Sequence, residues 1–295
     1  MIRSTVAVAE LGTILGIWAH PDDEAYLSGG LMALARDAGS RVVCVTTPRG
    51  ELGTPDPVAW PPQRLAAERT VELARCLGIL GVTEHQWLGY RDGECAAVRA
   101  SDAVGQLCEV IERVRPDTVL TFGPDGITGH PDHQVVSAWA TAAFERVTRS
   151  GARLLYAAIA ERRVPQWTAL GESLGVYPAG YPVTTPTGRL AVDLVLDPEA
   201  AARKVRALAH RRPRRPGFSP PSEWSATRRG SATSPSPCRR AADPGNVIIG
   251  CGSARSPERL PAELRRRAGP GPGSQRWTGG LRTGCTAGER RPSGR

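Results

Sequence analysis

The stretch Thr13-Ile-Leu-Gly-Ile-Trp-Ala-His-Pro-Asp-Asp-Glu24 decides the fold class of this 295-residue chain. Its first seven residues form a largely apolar run, which is typical of a short strand buried on both faces. The run leads directly into a turn that contains a histidine, a proline and three acidic residues. Because parallel α/β sheets bind ligands beyond the carboxyl ends of their strands, the stretch predicts a functional site at a sheet edge.

Strand-like and helical segments alternate from this stretch to residue 210. Short runs rich in β-branched residues predict strands, and longer stretches with apolar residues at helical spacing predict helices. The predicted strands are residues 13–19, 41–47, 86–88, 117–122, 154–159 and 190–196. The predicted helices are residues 25–38, 63–77, 102–114, 131–149 and 198–210. This alternation predicts one α/β domain over residues 1–210, with three layers and a mostly parallel sheet.

The composition changes after residue 210. Residues 211–295 contain 18 arginines and 5 acidic residues, together with 12 prolines and 13 glycines. Such a segment buries too little apolar surface to offset its ordering entropy, so we expect a disordered tail and hypothesise an out-of-frame or degenerate end. A basic tail also keeps open the alternative of a nucleic-acid-binding protein, although three aromatic residues offer little surface for base stacking.

The cysteines and the hydropathy predict a cytoplasmic protein. The seven cysteines are odd in number and form no C-x-x-C pair, which favours reduced thiols. No apolar run approaches the roughly 20 residues that a membrane span needs. We therefore expect neither an export signal nor a membrane segment, and the sequence does not indicate an oligomeric state.

A second motif, Gly129-His-Pro-Asp-His133, follows the strand predicted at residues 117–122 and a glycine-rich loop. The two motifs together contain three of the five histidines in the chain. A catalytic zinc usually takes three His or carboxylate ligands and leaves one place for water. The residue types and spacing predict His20, Asp23 and His133 as the ligands of Zn²⁺, and Fe²⁺ also suits this set.

The neighbouring polar residues suggest acid–base chemistry at that metal. Asp22 lies beside a ligand and can act as the general base that takes a proton from a zinc-bound water. His130 lies one helical turn before His133 and can stabilise an oxyanion or protonate a leaving amine. This set is suited to amide hydrolysis. Taken alone, each motif is also compatible with an N-capped turn or helix start whose polar side chains face water.

Four motifs resemble those of the LmbE-like, or PIG-L, deacetylase family, over roughly residues 12–210. They are AHPDDE at residues 19–24, TPRGELG at 47–53, the R-x-x-x-E…LG helix at 64–78 and GPDGITGHPDH at 123–133. The resemblance implies a Rossmann-like fold and zinc-dependent removal of an N-acetyl group from a glucosamine-containing small molecule.

The resemblance also implies roles for individual residues. It carries over the ligands and acid–base residues described above, and it adds Arg64, Glu51 and Asp92 as contacts to sugar hydroxyls. An alternative within the same family is an amidase that cleaves a larger thiol–sugar conjugate. A dinucleotide-binding protein is disfavoured because no G-x-G-x-x-G follows the first strand, and the carboxylates found there would repel a pyrophosphate.

Overall fold

The computed structural model describes residues 6–147, 149–163 and 177–209, and the backbone of residues 246–251. Its main sheet has seven strands in the spatial order β3-β2-β1-β4-β5-β9-β8. These strands are β1 (Ile14–Trp18), β2 (Val42–Thr46), β3 (Glu84–Trp87), β4 (Thr118–Phe122), β5 (Arg153–Ala157), β8 (Leu190–Val195) and β9 (Asn246–Cys251). A separate two-stranded ladder joins β6 (Ile159–Ala160) to β7 (Thr184–Thr185).

Five neighbouring strands, β1 to β5, run parallel. Every residue of β1, β2 and β4 is buried, as the apolar runs predict for strands covered on both faces. Ile14 pairs with Val42 on one side and with Thr118 on the other, so β1 lies at the centre of the parallel set. The predicted α/β class with a mostly parallel sheet is confirmed.

The described residues contain six α-helices, which pack around the sheet. They are α1 (Asp23–Leu27), α2 (Gly29–Asp37), α3 (Pro62–Leu80), α4 (Ala100–Val114), α5 (Pro131–Val147) and α6 (Pro198–Ala209). Helices α2, α3 and α6 pack together, and α4 packs against α5. The chain adds β2 and β3 on one side of β1 and then returns through α4 to add β4 on the other side. Because connections between parallel strands are right-handed, this reversal puts the two groups of helices on opposite faces of the sheet. None of the described helices is both long and apolar enough to cross a membrane.

Two predicted helix boundaries were wrong. The helix predicted at residues 25–38 is two helices, because Ser28 leaves the helical region at φ −135° between them. Helix α3 continues through Gly78 and ends before Gly81, which adopts a left-handed φ of 80°. At this end the Gly81 N–H donates to the Gly78 carbonyl and the Val82 N–H to the Leu77 carbonyl. These bonds form a Schellman motif, whose left-handed position favours glycine.

Within the predicted tail, the structure describes one strand, at residues 246–251. These residues form β9, which runs antiparallel to β5 and β8 and joins them into the main sheet. The sequence there contains the one clear apolar run of the tail, Val247-Ile-Ile249, whose β-branched residues favour strands. The rest of the predicted tail, residues 211–245 and 252–295, lies outside the described residues.

Candidate active site

The two histidine motifs meet at the carboxyl edge of the sheet, because β1 and β4 are neighbours. His20 follows β1, and His133 lies in the first turn of α5, after β4. The Nδ1 atom of His20 lies 3.0 Å from the Nε2 atom of His133. The Asp23 carboxylate lies 3.6 Å from His133 Nε2 through Oδ1 and 3.8 Å from His20 Nδ1 through Oδ2. The structure therefore brings together the three residues predicted as metal ligands.

The surroundings of His133 assign its tautomer. Its Nδ1 atom lies 3.0 Å from the Gly126 carbonyl oxygen, which can only accept a hydrogen bond. Nδ1 therefore carries the proton, and Nε2 is left with a lone pair that faces the site. The ring also stacks on Phe122, with centroids 4.3 Å apart and an interplanar angle of 18°. The aromatic contact and the hydrogen bond together fix the direction of the lone pair.

The surroundings of His20 assign the opposite tautomer. Its Nε2 atom lies 3.1 Å from Asp92 Oδ1 and 3.3 Å from Asp132 Oδ2, so Nε2 carries a proton toward two carboxylates. Burial alone would lower the pKa of His20, but the hydrogen bonds to Asp132 and Asp92 and the charge of Asp23 raise it to about 10. This environment holds a positive charge strongly, whether that charge is a proton or a metal ion.

These residues fit a metal ion. The two unprotonated nitrogens would face each other at 3.0 Å and repel unless a proton or a cation lay between them. A tetrahedral zinc with bonds of about 2.0–2.1 Å separates its ligand atoms by about 3.3–3.4 Å, close to the separations observed here. Ligand atoms also lie within 4.8 Å of one another in two overlapping groups: His20, His130 and His133, and His20, Asp92 and Asp132. The site therefore contains a His/Asp group that could bind a metal ion.

Asp22 lies beside this group in a backbone conformation that is rare for a residue with a side chain. Its φ is 137°, and its N–H donates to Glu24 Oε2 at 2.9 Å. Glu24 is fully buried, and burial together with the charge of Asp22 raises its pKa to about 7. Glu24 therefore braces the motif turn from inside the protein. The strained turn places the Asp22 side chain in the wall of the cavity.

His130 lies on the solvent side of the same group. Its ring centroid is 4.8 Å from that of His20 and 5.0 Å from that of His133. The His130 Nδ1 atom accepts a hydrogen bond from the Asp132 N–H at 3.1 Å, so the exchangeable ring proton belongs on Nε2. Burial, followed by the charges of His20 and His133, lowers the pKa of His130. A lowered pKa favours the neutral ring, whose Nε2–H group can donate a hydrogen bond to a negatively charged oxygen.

The three residues predicted to contact sugar hydroxyls have different positions. Asp92 lines the cavity, and its Oδ2 atom accepts the Leu52 N–H at 2.9 Å while Oδ1 contacts His20. Glu51 accepts the Asp92 N–H at 3.0 Å and does not line the cavity. Arg64 also lies outside the cavity wall, where its guanidinium stacks over Trp60 at 4.6 Å.

The cavity has a volume of about 330 Å³. Its lining residues are His20, Asp22, Asp23, Leu52, Gly53, Arg69, Asp92, Gly93, His130 and His133. Sequence reasoning missed Arg69, which supplies the cation of this wall and is only 6% exposed. A signal was present, because Arg69 lies four residues after Leu65 and four before Leu73, on the apolar face of α3. A charge at such a position needs buried partners.

A comparison with family models identifies the segment that contains this site. The model of the PIG-L family, described as GlcNAc-PI de-N-acetylase, matches residues 15–144. This range includes both histidine motifs and the strands that carry them. Residues 15–144 are similar to the PIG-L family. The resemblance identified from the motifs is therefore confirmed.

Two curated relatives of this chain bear the same name, 1D-myo-inositol 2-acetamido-2-deoxy-alpha-D-glucopyranoside deacetylase. The protein from Kineococcus radiotolerans is 37% identical over 148 residues, which are 41% of this chain and 41% of the relative. The protein from Saccharomonospora viridis is 36% identical over 171 residues, which are 50% of this chain and 63% of the relative. The chain thus covers less than two thirds of either relative.

Two solved structures share the fold of this chain. N,N'-diacetylchitobiose deacetylase from Pyrococcus horikoshii has a TM-score of 0.52 and 23% identity, over 72% of this chain and 75% of its own. GalB, the 4-carboxy-2-hydroxymuconate hydratase from Pseudomonas putida KT2440, has a TM-score of 0.51 and 16% identity, over 85% and 100%. Because the two names describe different reactions, the shared fold leaves the reaction to be argued from the site.

Proposed function

We propose that this protein is a metal-dependent hydrolase that removes an N-acetyl group from a glucosamine-containing small molecule. The observation that carries the proposal is the pair of imidazole nitrogens that face each other at 3.0 Å beside the Asp23 carboxylate. Two histidines and one carboxylate are a ligand set of catalytic zinc sites. The names of the two relatives support an acetamido sugar as the substrate.

The residues around the ligands divide the work of amide hydrolysis. A metal ion bound there would polarise the acetamide carbonyl and make water more acidic. Asp22 accepts a proton from the attacking water as the new C–O bond forms. The Nε2–H group of His130 donates a hydrogen bond to the oxyanion, and the proton that Asp22 accepted passes to the sugar nitrogen as the C–N bond breaks, so that acetic acid, which ionises to acetate, and a free amine leave. Asp92 and Asp132 keep His20 in the tautomer that binds the metal.

The size and charge of the cavity favour a neutral sugar. Its volume of about 330 Å³ is near the lower end of small-molecule sites, which suits one sugar ring with its acetamide group. The carboxylates of Asp22, Asp23 and Asp92 face this space, and the guanidinium of Arg69 together with a bound divalent ion would no more than balance them. A phosphorylated sugar would place further negative charge against these carboxylates.

Zinc is the metal that we propose, with iron(II) as the alternative, because both accept two imidazoles and a carboxylate. We also propose the cytoplasm as the compartment. Among the described residues, Cys44, Cys76, Cys95 and Cys108 are all free thiols, which suits a reducing environment.

The direct test is release of free amine from neutral N-acetylglucosamine conjugates, measured with the full-length protein loaded with zinc or iron(II). We expect release that stops when a chelator removes the metal and returns when the metal is restored. The 6-phosphate of N-acetylglucosamine serves as the charged comparison, and we expect a lower kcat/KM for it. Absence of amine release from every conjugate in the metal-loaded protein would contradict the proposal.

A further inference from the structure

Arg69 is a buried cation that reaches the active site from α3. Its exposed fraction is 6%, and its side chain runs from the apolar face of the helix to the cavity wall. Moving a guanidinium out of water is costly unless several acceptors replace the water. The hydrogen-bond partners of the Arg69 guanidinium should therefore indicate its role in the active site.

The guanidinium of Arg69 connects two segments of the active site. Its Nη2 atom donates to the Pro21 carbonyl at 2.7 Å, inside the first histidine motif. Its Nη1 atom donates to the Gly50 carbonyl at 3.1 Å, inside the TPRGELG segment. The same Nη2 atom lies 3.6 Å from Asp22 Oδ2. One charged group therefore contacts both the side chain of the proposed base and the peptide bond that precedes it.

Two glycines make room for this guanidinium. A Cβ atom at Gly53 would lie 2.5 Å from Arg69 Nη1, and a Cβ at Gly50 would lie closer still. Gly50 also has a φ of 68°, which residues with a side chain rarely adopt. The pocket for the guanidinium is therefore part of the TPRGELG segment, and these glycines have a steric reason to be there.

The Asp22 turn needs support of this kind. With a φ of 137°, Asp22 occupies a conformation that persists only where the surrounding structure holds it. Glu24 holds the Asp22 N–H, and Arg69 holds the Pro21 carbonyl and lies beside the Asp22 carboxylate. Without Arg69, the Asp22 carboxylate would also lose the positive charge that offsets repulsion from the neighbouring carboxylate of Asp23.

We propose that Arg69 is a positioning residue that acts through Asp22. It fixes the Pro21–Asp22 turn and holds the Asp22 carboxylate at the side of the metal group where water must be deprotonated. The inference rests on the proposed function, in which Asp22 is the general base. It assigns Arg69 an effect on the rate of the chemical step, whereas a residue that binds the sugar would mainly change KM.

A double-mutant cycle tests this role. We expect Arg69→Met to lower kcat by up to about 10²-fold, the usual cost of a misplaced catalytic group, with little change in KM and full metal content. In an Asp22→Asn background the same substitution should cost almost nothing, because the group through which it acts is already disabled. Arg69→Lys should restore part of kcat, since it returns the charge without the fork geometry.

The matched control is Arg75→Met, which removes the same side chain from an exposed position on the same helix. We expect it to leave kcat and KM unchanged. An Arg69→Met effect that is equally large with and without Asp22→Asn, or one confined to KM, would overturn the proposal.

A readout without activity separates this inference from the proposed function. Crystal structures of the full-length parent and of Arg69→Met should show the Asp22 carboxylate displaced or in several rotamers only in the variant. If the parent releases no amine, the proposed function fails, and these structures still decide whether Arg69 positions Asp22. An unchanged Asp22 in the variant would overturn the inference.

Discussion

At the scale of single residues, the hydrogen bonds behind each histidine decide what the site can bind. The Gly126 carbonyl accepts a hydrogen bond from the Nδ1–H of His133, and the carboxylates of Asp92 and Asp132 accept one from the Nε2–H of His20. The remaining ring nitrogens, His20 Nδ1 and His133 Nε2, face each other at 3.0 Å beside Asp23. Replacing Asp92 or Asp132 should therefore affect metal affinity, although neither residue needs to touch the ion.

The role of Asp22 leads to a prediction that separates chemistry from metal binding. Asp22→Asn keeps the shape of the side chain but removes its ability to accept a proton from water. We expect full metal content and a loss of about 10²–10⁴ in kcat, the usual contribution of a positioned base. Metal analysis and amine-release rates on the same preparation check this. An Asn variant as fast as the parent would show that another group is the base.

Ligand chemistry and strand order allow some site residues to be predicted from the sequence, whereas Arg69 is recognised only from helix packing. His20, Asp23 and His133 could be predicted because ligand chemistry needs those residue types and the strand order brings them together. Arg64 and Arg69 lie five residues apart, and the sugar-contact role predicted for Arg64 rested on motif spacing alone. Only the packing of α3 shows which of the two arginines faces the cavity.

At the scale of elements, the TPRGELG segment is held to the first motif through Arg69, so its glycines should affect the site. We expect Gly50→Ala to destabilise the protein by more than the roughly 1–2 kcal/mol of left-handed strain, and to lower kcat. Gly39→Ala is the control, because Gly39 also has a positive φ, of 85°, but a Cβ there would meet nothing within 4 Å.

Chemical denaturation and amine-release rates of both glycine variants check this expectation. We expect Gly39→Ala to show the left-handed strain alone, with the kcat of the parent. Equal effects of the two substitutions on stability and on kcat would contradict the idea that Gly50 makes room for the guanidinium.

Helix α6 is attached to α1, directly behind the first motif, by a buried lysine. The ammonium of Lys204 donates to the Tyr26 carbonyl at 2.9 Å, and burial lowers its pKa from 10.5 to about 8. Between pH 8 and 10.5 the unfolded chain therefore binds more protons at this residue than the folded protein does. The contribution of Lys204 to stability rises with pH across this window, and the cost of burying the charge is complete below pH 8.

Replacement of Lys204 by methionine removes that titration. We expect the free energy of unfolding of Lys204→Met, relative to that of the parent, to increase as the pH falls from 10.5 to 8. The hydrogen bond lost in the variant adds a difference that does not change with pH. Calorimetric unfolding of both proteins at the two pH values checks this. A difference between variant and parent that does not change with pH would contradict a depressed lysine pKa.

At the scale of the whole molecule, alternation of strands and helices was sufficient to predict the parallel sheet and the edge where the motifs meet. Periodicity could not predict the break at Ser28, since residues on both sides have helical composition. It placed the end of α3 at Gly78, because glycine can occupy either a helix interior or a left-handed end. The strand Asn246–Cys251 was missed because composition, averaged over a long basic segment, hides a run of six residues.

The central claim is that His20, Asp23 and His133, remote in the chain, hold a single divalent ion. Elemental analysis of the purified full-length protein, after incubation with zinc or iron(II) and removal of excess metal, tests it most directly. We expect one ion per chain in the parent, retained in Asp22→Asn and lost in His133→Ala. A parent that holds no ion, or an ion retained when all three ligands are replaced by alanine, would contradict the account.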